Sequence, residues 1–440
     1  MSKKIRLLTA AISAVIILLA VITPSVSVPV AEAQSTAVVV TGEAKNAAVV
    51  EATEAVLKET SELRELPILR PVKSGTQSRD EIQHFLIKNM DEDTSPAEMH
   101  ASEVSLKKLG LVPADFQFRP FIIRLLTEQV AGYYDPKQQE FFLADWIDLD
   151  GQKPVMAHEL THALQDQHFN LRRFEKWPKG DSDAELAAHA LIEGDASLAM
   201  KVYVTRSPLR IIALMKSMGA SKSSTEEIER APRAIRESLL FPYEQGMEWA
   251  EQLYKREGWS LVSKAFKELP QSTEQILHAD KYFAHEAPVK ISLPDITPTL
   301  GSGWKRIDTD VNGEWSYYLI LDEYLKSEQE SRRAAAGWGG DRYSVYEGAK
   351  PGQVFIVQLS AWDTEQDAAE FFAAYAKRTE ARYKSANALP DKPAGAMTEE
   401  KGWHTDEGDV LMQRRGQRVL ILEGVPEGKD AGVLASKLWQ

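Results

Sequence analysis

The stretch Pro154-Val155-Met156-Ala157-His158-Glu159-Leu160-Thr161-His162-Ala163-Leu164-Gln165-Asp166-Gln167-His168 decides how this chain is read. Proline is tolerated in a first helical turn, where its missing N–H has no partner to lose, and the residues after it have helical spacing. Met156, Leu160, Ala163, Leu164 and Gln167 form one stripe, while His158 and His162 lie on another face. Two residues four apart on a helix are separated by about 400° of rotation, so both imidazoles point the same way and can share one ion. A catalytic Zn2+ takes three protein ligands and keeps one position for water, whose pKa falls to about 7. Glu159, next to the first His, is placed to take that water's proton and pass it to a leaving amine. The plain alternative is a helix that merely presents His and Glu to solvent. With 9 His in 440 residues, a chance match is on the order of one or two per cent.

A third ligand has to come from elsewhere. A second long helix is expected over 183–204, broken only by Gly194, and it offers Asp183, Glu185, His189, Glu193 and Asp195. His158-Glu159-Leu160-Thr161-His162 followed by Ile192-Glu193-Gly194-Asp195-Ala196 resembles the gluzincin peptidases, the relatives of thermolysin. The resemblance covers about residues 128–200. It implies a zincin-like fold, a zinc cofactor, a peptide or protein substrate, and Glu193 as the third ligand in a Glu-Gly-x-Ala setting. Asp195 then becomes an acceptor for a ligand His N–H. The interval from His162 to Glu193, 193 − 162 = 31 positions, is longer than usual in thermolysin-like enzymes and keeps Glu185 open as an alternative. The metzincin pattern needs a Gly between its second and third His, and 163–167 has none, so His168 and His189 read as surface or packing residues. The resemblance also implies that 140–144, the strand before the helix, lies at a sheet edge and pairs with extended substrate. For the oxyanion donor it suggests Tyr243 or His278, each with a plain alternative as a buried Tyr or a capping His.

The N-terminus carries Lys3, Lys4 and Arg6, an apolar run over 7–22, Pro24, and Ala31-Glu32-Ala33 before Gln34. This reads as a secretory signal peptide over 1–33, hence an extracytoplasmic location, with an uncleaved anchor as the alternative. There is no cysteine in the chain, so no lipid-modified Cys, no disulfide and no thiolate ligand. The formal net charge of -13 argues against a nucleic-acid partner, which needs clustered Lys and Arg. Hydrophobic residues at 43% and charged residues at 27% are ordinary for globular domains and exclude a polytopic membrane protein. Once a signal is cleaved, no stable membrane span is expected.

The fold class expected is α+β: a mostly helical zincin-like domain with a small sheet over 79–290, then a separate α+β domain over 291–440. Residues 34–78 read as a low-complexity or pro-like linker, with room for one helix over 47–66. Helical spacing recurs over 79–90, 102–109 and 121–130, then over 208–218, 226–239, 245–257 and 261–268. A hairpin is expected over 130–134 and 140–144 around Asp135-Pro136-Lys137. Strands are expected over 315–321, 342–345, 354–359, 410–414 and 417–423, and an amphipathic helix over 363–384. Gly337-Trp338-Gly339-Gly340-Asp341 lacks a following Gly-Lys-Ser/Thr and reads as a tight turn, not a phosphate cradle. The function expected is hydrolysis of peptide bonds by a metal-activated water. The alternatives are a non-catalytic peptide-binding or envelope protein on the same scaffold, or hydrolysis of another amide or ester.

Overall fold

The computed structural model describes residues 42–146, 149–220, 228–390 and 398–439. The signal-like segment 1–33 and the start of the expected linker lie outside the described residues. The fold is α+β, with one small sheet in a largely helical half and a second, larger sheet in the C-terminal half. Among the described residues no helix is long and apolar enough to cross a membrane.

Of the segment 34–78 expected as a linker, residues 42–78 belong to the fold, and the helix expected over 47–66 is present. Helix α1 (Gly42–Arg64) buries Val49, Val56, Leu57 and Leu63 in the main core, and strand β1 (Lys73–Gln77) joins the small sheet. The Ala, Glu and Thr-rich composition hid an apolar stripe at helical spacing. β2 (Gly132–Asp135) and β3 (Glu140–Ala144) form the expected hairpin. Its turn is made locally: Asp135 Oδ1 accepts the N–H groups of Lys137 at 2.7 Å and Gln138 at 3.3 Å. The sheet order is β1-β3-β2, with β1 parallel to β3. β3 is therefore the central strand, and it cannot be the substrate-pairing edge expected of 140–144.

Helix α2 (Leu149–Phe169) carries the His-Glu-Leu-Thr-His stretch and begins earlier than Pro154. Its Val155, Met156, Ala157, Leu160, Ala163 and Leu164 are all fully buried, so it runs through the core with no solvated face along that stretch. Helix α3 (Ser182–Thr205) starts at Asp181, whose side chain accepts from the Ala184 N–H. Helix α4 (Arg233–Glu257) passes unbroken through Pro242, where separate helices over 226–239 and 245–257 were expected. What overrides the proline is tertiary packing. A Cβ on Gly194 would come within 2.2 Å of the Gly246 backbone, and one on Gly246 within 2.2 Å of the Ala190 carbonyl oxygen. The two helices thus touch backbone to backbone, which is possible only without side chains there.

The C-terminal half is built on β4 (Lys305–Asp310), β5 (Trp338–Glu347), β6 (Val354–Trp362), β7 (Ala386–Ala388), β8 (Thr398–Thr405), β9 (Asp409–Arg415) and β10 (Arg418–Val425). They form a seven-stranded sheet, order β4-β5-β6-β10-β9-β8-β7, with every neighbouring pair antiparallel. Helices α5 (Gly313–Leu325) and α6 (Glu365–Arg382) join one face to the main core, and α7 (Ala431–Leu438) covers a smaller core on the other. The strand expected over 315–321 is helix α5. A short apolar run that is buried all round fits either state, and the deciding cap is not local. The carboxylate of Asp341, on β5, accepts the N–H of Asn312 at 3.0 Å and of Gly313 at 3.0 Å, which satisfies the helix start from a neighbouring strand. Of the tight turn expected over 337–341, only Gly337 lies in a turn; Trp338 to Asp341 belong to β5, with a bulge at Gly340, and both glycines have positive φ.

Replacing Gly194 by Ala is expected to lower unfolding free energy by about 1–3 kcal/mol, the usual scale for overpacking. Urea unfolding followed by circular dichroism measures it, and a variant as stable as the parent would mean that the helix crossing is looser than the contact distances imply.

Candidate metal centre

α2 and α3 lie side by side, and each contributes candidate ligand atoms from a buried face. His158 Nε2 is 3.2 Å from Glu193 Oε2, His162 Nε2 is 3.3 Å from the same oxygen, and the two Nε2 atoms are 3.1 Å apart. Three ligand atoms about 2.1 Å from a tetrahedral ion stand about 3.4 Å from one another. The triangle has the size of one face of such a polyhedron, and all three groups are nearly closed off from solvent, between 0% and 7% exposed. His158, His162 and Glu193 are the fully buried one of two sets among the described residues whose ligand atoms converge closely enough to share an ion.

The donor chemistry fits as well. His162 Nδ1 lies 2.9 Å from Gln165 Oε1, an acceptor, so Nδ1 carries the hydrogen and Nε2 faces the triangle. Burial holds His158 down to about 4, so it is neutral at pH 7 with a lone pair to give. Burial opposes charge on His162 and Glu193 too. There it is outweighed by their mutual attraction, which raises His162 to about 9 and lowers Glu193 to about 2. The pocket thus stabilises a positive charge at the point where the three groups meet.

Glu159 is 1% exposed, and its Oε2 accepts the Tyr134 backbone N–H at 3.0 Å. β2, the edge strand next to α2, therefore sets the rotamer of this carboxylate. Tyr243, on α4, is fully buried with its ring 6.1 Å from that of His158. Its placement follows from the Gly194–Gly246 crossing less than one turn further along.

Residues 300–434 match a domain of unknown function (DUF8575). No curated protein and no solved structure matches the chain. The matched span is the seven-stranded sheet with its helices and leaves the converging His and Glu residues outside it.

Other expected residues fall elsewhere. His278 Nε2 lies 2.9 Å from Glu314 Oε1 of α5, and that contact raises its pKa; it is not brought to the triangle. Glu185 lines a cavity of about 330 Å³ with Ser182, Arg306 and Asp310, at the junction with β4, and is not part of the converging set. His168 Nε2 donates to the Pro67 carbonyl at 2.7 Å, which ties the end of α2 to the chain after α1. Asp195 touches neither imidazole. Its partners are Gln165 Nε2 at 2.9 Å and the guanidinium of Arg64. Gln165 and Arg64 are the residues that the sequence reading missed. Gln165, three residues after His162, was within reach of a helix-spacing argument; nothing local marked Arg64. A second acidic group, Glu274, Glu286 and Asp363, already holds the Lys281 ammonium between its carboxylates.

Elemental analysis of protein purified without chelators is expected to find about one zinc per chain. His158→Ala and Glu193→Ala are expected to lose it and Glu185→Gln to keep it; zinc retained in Glu193→Ala but lost in Glu185→Gln would move the third ligand.

Proposed function

We propose that this chain is a zinc-dependent peptidase acting outside the cytoplasm, in which Glu159 is the general base. The observation that carries the reading is the buried triangle of His158, His162 and Glu193 with sides of 3.1–3.3 Å. The signal-like pattern over 1–33 supports the location.

A bound zinc ion supplies a Lewis acid for the carbonyl oxygen and lowers the pKa of a water molecule. The chain's own groups do the rest. Tyr134 N–H holds one oxygen of Glu159 in place, so the carboxylate is oriented before substrate arrives. At that carboxylate a proton is accepted from the attacking water and then given to the leaving amine. Glu193 brings negative charge to the ligand set, and burial keeps His158 uncharged, so it adds no positive charge to repel a cation. Tyr243 is the remaining donor candidate on this side of the site, and its hydroxyl serves the oxyanion. His278, engaged with Glu314, is set aside from that role.

Glu159→Gln is expected to keep zinc and lose peptide cleavage by about 10²–10⁴-fold, the usual contribution of a general base. Tyr243→Phe is expected to reduce kcat by about 10²-fold with KM little changed. Both are read with a fluorogenic peptide library and parallel zinc determination. Cleavage by Glu159→Gln at the parent rate would overturn the assignment, and zinc-loaded parent protein that cuts no peptide would turn the search to esters and other amides.

A further inference from the structure

We propose that Arg64, Asp195 and Gln165 are positioning residues that fix His162 as a metal ligand, which makes the N-terminal helix α1 a working part of the metal centre. The inference rests on the zinc reading of that centre.

The chain of contacts is continuous and buried. Gln165 Nε2 has two acceptors in front of it, Asp195 Oδ2 at 2.9 Å and the Ile192 carbonyl at 3.0 Å. An amide has its donors on nitrogen only, so these acceptors settle which way the group faces, and Oε1 is left pointing at His162. Oε1 then accepts from Nδ1–H at 2.9 Å, and the imidazole turns its Nε2 edge to His158 and Glu193. Asp195 in turn is gripped by two guanidinium nitrogens of Arg64, Nε on Oδ1 and Nη2 on Oδ2. Both side chains are 0% exposed, so solvent does not screen the pair. Arg64 is itself held, by Ser263 Oγ at 3.1 Å from Nη1 and by the Trp259 ring at 4.6 Å.

The relay has no counterpart on the other imidazole: His158 Nδ1 meets no hydrogen-bond partner among the described residues. Control of the ligand orientation therefore runs through His162. A bare ion pair between α1 and α3 needs only the two charges. Here Asp195 Oδ2 is shared with the amide that orients a ligand, and Asp195 sits two residues after Glu193 on the same helix.

The test compares parent protein, Gln165→Met, the double variant Arg64→Met/Asp195→Leu, and the three changes combined. Gln165→Met leaves the ion pair intact, and apolar replacement of both charges is the change such buried pairs tolerate best. Zinc affinity is measured by chelator competition, ligand geometry by the visible spectrum of the cobalt(II) form, and folding by far-ultraviolet circular dichroism. Gln165→Met and the double variant are each expected to fold, to bind zinc about 10–100-fold more weakly and to shift the cobalt bands. The combined variant is expected to be no weaker than the weaker of the two, because all three changes cut one path. Parent-like affinity and cobalt spectrum in folded Gln165→Met would overturn the relay while leaving the zinc centre standing. Parent protein that binds no metal would overturn both.

Discussion

Helix α3 brings Glu193 to the two imidazoles while α4 lies directly on its backbone. The Gly194–Gly246 contact leaves no room for even one methyl group between the helices, and its effects spread in three directions. It sits one residue after Glu193, whose carboxylate faces His158 and His162. It carries Tyr243 to the ring of His158. It also places Phe241, two residues earlier, 4.7 Å from Trp315 of α5, so the helical half and the sheet half share one apolar core. A Glu-Gly-Asp sequence thus combines a candidate ligand, a close-packing point and the acceptor for Arg64 within one helical turn.

With no disulfide available, the architecture is tied together by buried charges that are met from distant segments. Arg64 on α1 meets Asp195 on α3, and Arg378 on α6 meets Glu423 on β10, all four side chains being fully buried. Tyr375 and Tyr383 add their hydroxyls to Glu423, so the carboxylate is satisfied from three sides and held below the usual range despite its burial. Asp183, at the start of α3, accepts from Thr273 N and Oγ1 beside Gly313, where an added Cβ would overlap its carboxylate. Removing one member of such a pair leaves an uncompensated charge and costs about 3–5 kcal/mol. The change of architecture after residue 300 is therefore not a break in the protein. Asp183 and Thr273 bond across the junction, and Phe241 packs on Trp315 there.

What could be read from the sequence follows the range of the forces involved. The spacing of His158 and His162 needs only helical geometry, so that pair was legible, and so was the Asp135-Pro136-Lys137 turn, which makes its own hydrogen bonds. Helices over 79–90 and 363–384 and most strands of the large sheet followed from periodicity alone. The failures share a cause. Residues 315–321 have the composition of a buried strand and become a helix because Asp341, 28 residues beyond Gly313, caps it. Pro242 signalled a break that packing against Ala190 overrode. Within 34–78 the helix over 47–66 was legible, but β1 was not, and Arg64 at the end of α1 finds Asp195 across 131 positions. No single-sequence rule links those two residues before the fold exists.

The electrostatics of the triangle bear on why such a cluster is kept at all. Two imidazoles and a carboxylate within 3.3 Å of one another, almost without solvent, form an arrangement that folding must work to assemble. Burial alone would discharge all three groups. Instead Glu193 stays ionised, and His162 takes up a proton to meet it. That proton stands where the three ligand atoms converge, and a cation with two charges would satisfy the same atoms better while releasing it. Around this point the nearby groups are fixed ahead of time: Glu159 by a strand N–H, and His162 by an amide that answers to Arg64. A cluster that served packing alone would be as well filled by apolar side chains, as replacements of buried ion pairs show. The proposed cation would offset the cost of keeping these polar groups.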